Sequence, residues 1–138
     1  MKRNLILILL FAMVACEKEN TSNLNLDEKV DKTTSVEKAK GSFSNGAHGM
    51  VSGAAKIYTT SSNTQLALEN FSSSNGPNLI VYLSKEKDPI NFINLGELKA
   101  TGGNQLYNIP QNIKFSDYKY ALIYCKAHSK LWGFAEIN

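Results

Sequence analysis

Leu79-Ile80-Val81-Tyr82-Leu83 decides the fold class of this chain. The five residues are apolar on both faces of an extended backbone and rich in β-branched and aromatic side chains, which favour strands. Gly76-Pro77 precedes the run and the charged stretch Lys85–Pro89 follows it, so the run is too short for a helix. We therefore predict a central strand over Asn78–Ser84 that is covered on both sides.

The same alternation of short apolar runs and turn-rich stretches continues on either side. Gly102-Gly103-Asn104 is typical of a hairpin turn, and no amphipathic helix separates the runs. For residues 41–138 we predict an all-β domain, a single antiparallel β-sandwich or small β-barrel of about 7–9 short strands. The other predicted strands are 51–60, 65–71, 96–100, 105–109, 118–127 and 131–137.

Alternation within two of these strands predicts which side chains are buried. Leu66 and Leu68 share one face of their strand, opposite the polar Gln65 and Glu69. In the strand near the C-terminus, the small and aliphatic residues Ala121, Ile123 and Cys125 fall on one face, and Tyr120, Leu122 and Tyr124 fall on the other. We expect Cys125 to point inward.

The first sixteen residues have the pattern of a lipoprotein signal peptide. Lys2 and Arg3 precede a ten-residue apolar run that is too short to span a bilayer, and Ala15-Cys16 ends that run. We predict cleavage before Cys16 and acylation of Cys16, including palmitate, in the cell envelope of a bacterium, with the outer membrane favoured. The alternative is an ordinary cleaved signal peptide that contains a cysteine.

Residues 16–40 form a polar stretch without aromatic residues, which cannot bury enough apolar surface to offset its chain entropy. We interpret it as the lipidated cysteine followed by a flexible tether that spans about 27 Å as a random coil. A short helix over 27–38 is the alternative. The predicted organisation is a signal peptide at 1–15, this linker at 16–40 and a β domain at 41–138.

Charge and motifs exclude several classes of protein. Removal of Lys2 and Arg3 leaves 13 basic residues against 12 acidic ones, so a nucleic-acid partner is not expected. No nucleophile elbow, phosphate-binding loop or zinc-protease motif is present. The isolated carboxylates of Asp88, Glu97, Asp117 and Glu136 are interpreted as surface charges. A stand-alone enzyme is therefore not favoured.

A series of short motifs runs through the whole folded part. They are Gly41-Ser42-Phe43, 48–55, 66–71, 76–84, 96–99, 103–107, Ile109-Pro110, 121–125 and 132–135. In these motifs and their order the folded part resembles the DM13 domain, an extracytoplasmic module of bacterial lipoproteins and animal cell-surface proteins. The resemblance implies a β fold with an electron-transfer or redox role, and its characteristic cysteine falls on Cys125. That thiol would act directly in redox chemistry or ligate a prosthetic group such as haem.

Cys125 is the main candidate for a functional site, since lipidation of Cys16 would leave it without a partner. The alternative is a buried cysteine that packs as a small apolar side chain. His48, Met50, Cys125 and His128 are the ligand types of a blue-copper centre, and Cys125 or His48 could serve as an axial haem ligand. No cofactor is assigned and no metal site is predicted, and the simpler interpretation of His48 is a polar loop residue.

Two functions remain open at this stage. The first is an envelope redox or electron-transfer accessory that acts through Cys125 on an unidentified redox partner. The second is a non-enzymatic binding or structural module of the envelope, with Cys125 in the core and the loops Lys85–Asn94 and Ser72–Asn75 in contact with an envelope protein. Trp132, Tyr124 and Phe134 are interpreted as core or rim aromatics, with a ligand platform as the alternative.

Overall fold

Nine strands and one short 3-10 turn make up the described part of the chain, in a computed structural model that describes Thr21 and residues 24–138. No α-helix occurs among these residues, and none of their segments could span a membrane as a helix. The strands are β1 Asn25–Asp27, β2 Val36–Asn45, β3 Val51–Thr59, β4 Thr64–Ser73, β5 Leu79–Ser84, β6 Phe92–Glu97, β7 Gly102–Ile109, β8 Tyr120–Cys125 and β9 Lys130–Glu136; the 3-10 turn is Phe115–Asp117.

The strands form one strongly curled sheet in the order β1-β7-β4-β3-β2-β9-β8-β5-β6. All neighbours are antiparallel except β1 and β7. β2 turns the sheet back on itself: Val36–Ser42 pairs with β3, and Phe43–Asn45 pairs with β9. The result is a half-barrel that encloses the main apolar core, so the all-β prediction and the predicted number of strands are confirmed.

The predicted burial pattern is also confirmed. Leu66 and Leu68 are fully buried, and all of Leu79–Leu83 is buried. Ala121, Ile123 and Cys125 lie in the main core. On the opposite face of the same strand, Leu122 belongs to a second cluster with Ile80 and Tyr82, flanked by Tyr120, Tyr124, Leu131 and Phe134.

The region between β5 and β7 differs from the sequence prediction. The strand predicted at 96–100 is instead β6, which runs over Phe92–Glu97. Gly102 and Gly103 lie inside β7 and do not form a hairpin turn. Gly103 has φ +92°, and a Cβ there would lie 1.9 Å from the Leu26 carbonyl oxygen. These glycines therefore allow β1 to approach β7 closely. Because β1 is distant in the sequence, the same glycines were interpreted as a local hairpin turn.

The predicted tether is wrong over residues 24–40, and so is its helical alternative. β1 pairs with β7, a turn follows at Asp31–Ser35, and β2 begins at Val36. Glu28 accepts a 2.9 Å hydrogen bond from Lys99, and Ala39 packs against the core. Backbone pairing and ion pairs order this polar segment, which composition alone cannot reveal. The signal peptide, Cys16 and the rest of the predicted tether lie outside the described residues, apart from Thr21.

Candidate functional site

Cys125 ends β8 and is completely buried in the core. It lies opposite Leu79 of β5 and Lys130 of β9. Its Sγ donates a hydrogen bond to the carbonyl oxygen of Pro77 at 3.2 Å. A neutral carbonyl acceptor stabilises the thiol and does not stabilise the thiolate, which is the nucleophile and the metal ligand. In this conformation Cys125 behaves as a small apolar side chain.

One short segment, Ser74–Asn78, closes the core above the thiol; we call it the cover segment. Pro77 accepts the hydrogen bond from Cys125, and Asn78 accepts one from the Lys126 backbone at 3.2 Å. At its other end the Ser74 carbonyl accepts the Trp132 indole N–H at 3.0 Å. The cover segment is irregular apart from a bridge at Pro77, so a few hydrogen bonds hold it in place.

Trp132 links the cover segment to a groove at the surface. Its indole lies against Gly49, where a Cβ would come within 2.5 Å of the ring. The groove is lined by Trp132, Asn75 and the β2–β3 loop, including His48 and Met50. Met50 is 69% exposed at this rim. The glycine at 49 is therefore required for the loop to pack on the indole.

The structure does not assemble a copper or haem site from the predicted ligands. His48 and Met50 share the groove, whereas Cys125 is buried beneath the cover segment. His128 lies exposed in the Lys126–Ser129 turn. Within the described residues no three His, Cys, Asp or Glu side chains are grouped so as to hold a metal ion. Axial ligation of haem by Cys125 would require loss of its hydrogen bond to Pro77 and an opening of the core. The predicted ligands therefore fit neither a copper ion nor a haem group.

The basic residues that follow Cys125 in sequence lie at the surface, whereas its thiol is buried. β8 ends at Cys125, and Lys126, His128 and Lys130 are all exposed. The turn after β8 begins at Lys126 and carries His128 into solvent. Among the described residues, the thiol donates its hydrogen bond to the Pro77 carbonyl.

An ionic cluster occupies the outer face of the β3–β4 half of the sheet. The Glu69 carboxylate accepts hydrogen bonds from Lys56 at 2.8 Å, from Tyr58 at 2.7 Å and from Lys32 at 3.2 Å. Partial burial opposes the charge on Glu69, but these three hydrogen bonds outweigh it and lower the pKa of Glu69. The hydrogen bond with Glu69 raises the pKa of Lys56 to about 12. Since Lys32 lies in the N-terminal segment, the cluster fastens that segment to the sheet.

Sequence reasoning missed both the cover segment and this cluster. The sequence Asn75-Gly76-Pro77-Asn78 predicts a turn. It does not reveal that the Pro77 carbonyl accepts a hydrogen bond from Cys125, or that the Asn78 carbonyl accepts one from Lys126 in the turn after β8. The predicted surface carboxylates Asp88, Glu97, Asp117 and Glu136 are exposed. Glu69 accepts three hydrogen bonds, whereas the sequence predicted only that it lies on the same outward face of its strand as Gln65.

The sequence model of one protein family, described as electron transfer DM13, matches residues 42–137. The chain belongs to the DM13 family. The matched range of the DM13 domain runs from the middle of β2 to just beyond β9, and it contains Cys125, Trp132 and the cover segment. β1 and the turn that follows it lie outside the match. No curated protein and no solved structure matches this chain.

Proposed function

We propose that this DM13 protein is an extracytoplasmic redox accessory in which Cys125 is the reacting group, exposed by opening of the cover segment. The observation that carries the proposal is the position of an unpaired thiol directly beneath a short irregular segment. Membership of an electron-transfer family supports a redox role. The proposal needs no metal or haem, which the residues around Cys125 do not fit.

The redox chemistry of this thiol is limited by the number of cysteines. The chain contains two, and Cys16 would carry lipid, so Cys125 has no internal partner. Its thiolate would attack a partner's disulfide, form one new S–S bond and release the second partner sulfur as a thiolate, with the Cys125 proton passing to solvent. A partner with a disulfide is therefore the class of oxidant expected.

The proposed location is the bacterial cell envelope, with the domain anchored by lipid on Cys16 and the outer membrane favoured. The short apolar run and the small residue before Cys16 support this. Two or more acyl chains give stable membrane anchoring, whereas one gives only marginal binding. Metabolic labelling with a palmitate analogue should mark the wild type but not Cys16→Ala, and an equally labelled variant would refute the anchor.

Reaction of the folded domain with glutathione disulfide tests the role of Cys125. We expect a mass increase of one glutathione in the wild type and none in Cys125→Ser. Trp132→Phe removes the indole N–H bonded to Ser74 and should accelerate the reaction, because the cover segment loses a tether. Tyr124→Phe, on the outer face, is the matched control and should leave the rate unchanged. A wild-type thiol that reacts only after unfolding would refute the proposal.

The complete burial of Cys125 favours a second candidate function, a non-enzymatic binding or structural module of the envelope. In that case the Cys125 side chain serves only to pack the core, and the surface that binds an envelope protein lies away from it. The outer face near β6 carries Phe92, which is 42% exposed and whose ring lies tilted against that of Tyr82 at 4.3 Å between centroids, and Ile90 is 71% exposed in the loop before it. Pull-down of an envelope protein by wild type and Cys125→Ser alike, with loss in Phe92→Asn, would support this function.

A further inference from the structure

Three loops meet at the end of the half-barrel where Cys125 lies: Gly46–Met50, Ser74–Asn78 and Lys126–Ser129. We call this surface the loop end. The Ser74 backbone N–H donates to the Met50 carbonyl at 2.8 Å, and the Lys126 N–H donates to that of Asn78 at 3.2 Å. The Gly46 N–H donates to the Trp132 carbonyl at 2.8 Å. The three loops are thus bonded into one surface.

The loops of the loop end contain basic residues and no acidic ones. Its three loops contain His48, Lys126 and His128 but no aspartate or glutamate, and Lys130 follows directly at the start of β9. Among the described residues, neither Lys126 nor Lys130 has a carboxylate within ion-pairing distance, whereas Lys32, Lys56 and Lys99 in the other half are paired. Asp88 is the one carboxylate lining the adjacent groove, beside Lys87 and Lys130. Within the part of the chain that the structure describes, the loop end therefore offers lysines without acidic partners beside the exposed Met50.

The path of the N-terminal segment brings this same end close to the predicted lipid. The Thr21 hydroxyl donates to the carbonyl oxygen of Gly76, in the cover segment, at 3.4 Å. Thr21 is five positions after Cys16, and five residue-to-residue steps span at most about 18 Å when fully extended. The lipid on Cys16 therefore cannot be farther than that from the loop end while the Thr21 contact persists.

We propose that the loop end rests on the membrane surface, with Lys126 and Lys130 against anionic headgroups and Met50 at the interface. The proposal rests on the lipid anchor proposed above. Basic side chains beside a membrane are attracted to anionic lipids. The cover segment over Cys125 then faces the bilayer, so the partner that reaches this thiol is itself embedded in, or attached to, the membrane.

Trp132 is the only tryptophan in the sequence and lies at the loop end, so its fluorescence reports the orientation. The lipidated full-length protein is reconstituted in vesicles of phosphatidylethanolamine and phosphatidylglycerol that carry a nitroxide on the headgroup. Because Cys16 lies within about 18 Å of the loop end, the nitroxides at the membrane surface lie near Trp132. The emission of Trp132 should therefore fall about twofold or more. The matched control carries Trp132→Phe with Phe115→Trp in the 3-10 turn at the opposite end, and its emission should change little.

A charge reversal tests the headgroup contact. Lys126→Glu with Lys130→Glu should weaken the quenching, whereas Lys119→Glu, another exposed lysine, should not. Anchored protein whose Trp132 is unquenched, or quenched no more than the tryptophan at position 115, would overturn the proposed orientation and leave the anchor intact. Protein that fails to float with the vesicles would overturn the anchor and the orientation together.

Discussion

At the scale of single residues, the hydrogen bond from Cys125 to Pro77 sets the chemistry of the thiol. The S–H is buried and donates to the Pro77 carbonyl, so a reagent reaches the sulfur only when that bond breaks and the core opens. The alternation of side chains in β8 predicted that Cys125 points inward. It could not predict the Pro77 carbonyl, because residues 77 and 125 are far apart in sequence.

Replacement of Cys125 by serine tests the packing at this position. The hydroxyl can still donate to Pro77, but it is smaller and more polar than the thiol in an apolar site. We expect a loss of about 1 kcal/mol in the free energy of unfolding, measured in denaturant with an unchanged slope. Exposed Ser129→Ala should cost far less, and equal losses would contradict the packing described for Cys125.

Gly49→Ala tests the contact that holds Trp132. The added methyl group would lie 2.5 Å from the indole, so either the ring or the loop must move. We expect a loss of about 1–3 kcal/mol in the free energy of unfolding, as for other overpacked sites. Labelling of Cys125 should also accelerate, because displacement of Trp132 weakens its bond to Ser74. His48→Ala in the same loop is the control, and no difference between the two variants would contradict this packing.

At the scale of structural elements, the N-terminal segment belongs to the fold. The Glu69 cluster, the pair Glu28–Lys99 and the pairing of β1 with β7 hold residues 24–35 on the sheet. The strands with clear apolar patterns, such as β3, β5 and β9, were predicted to within two residues. β1 and β2 were not predicted as strands, because partners distant in the sequence supply their stability.

Glu69→Gln tests how much the ionic cluster contributes. The pKa of Glu69 is lowered in the folded state, so its contribution is present above the unfolded pKa and is lost as pH falls through the folded value. We expect the variant to lose about 1 kcal/mol at pH 7 and to match the wild type in acid. Urea unfolding across pH measures this. Glu97→Gln is the control, and a loss independent of pH would contradict the ionic role of Glu69.

At the scale of the whole molecule, the strand order determines which loops become neighbours. β2 switches between the two halves of the sheet, and this brings the β2–β3 loop beside β9 and the turn after β8. The cover segment between β4 and β5 crosses from one half to the other at the same end. The sequence contains every residue of this surface, but the grouping follows from sheet topology, which strand patterns do not specify.

The central claim is that Cys125 becomes accessible by local opening of the cover segment, and the denaturant dependence of its labelling tests this most directly. The labelling rate of the folded domain by a thiol reagent is measured at low urea and compared with global unfolding. Local opening predicts labelling that is faster than global unfolding allows and nearly independent of urea, because little surface is exposed. Labelling that follows the slope of global unfolding down to zero urea would contradict the claim and identify Cys125 as a core residue.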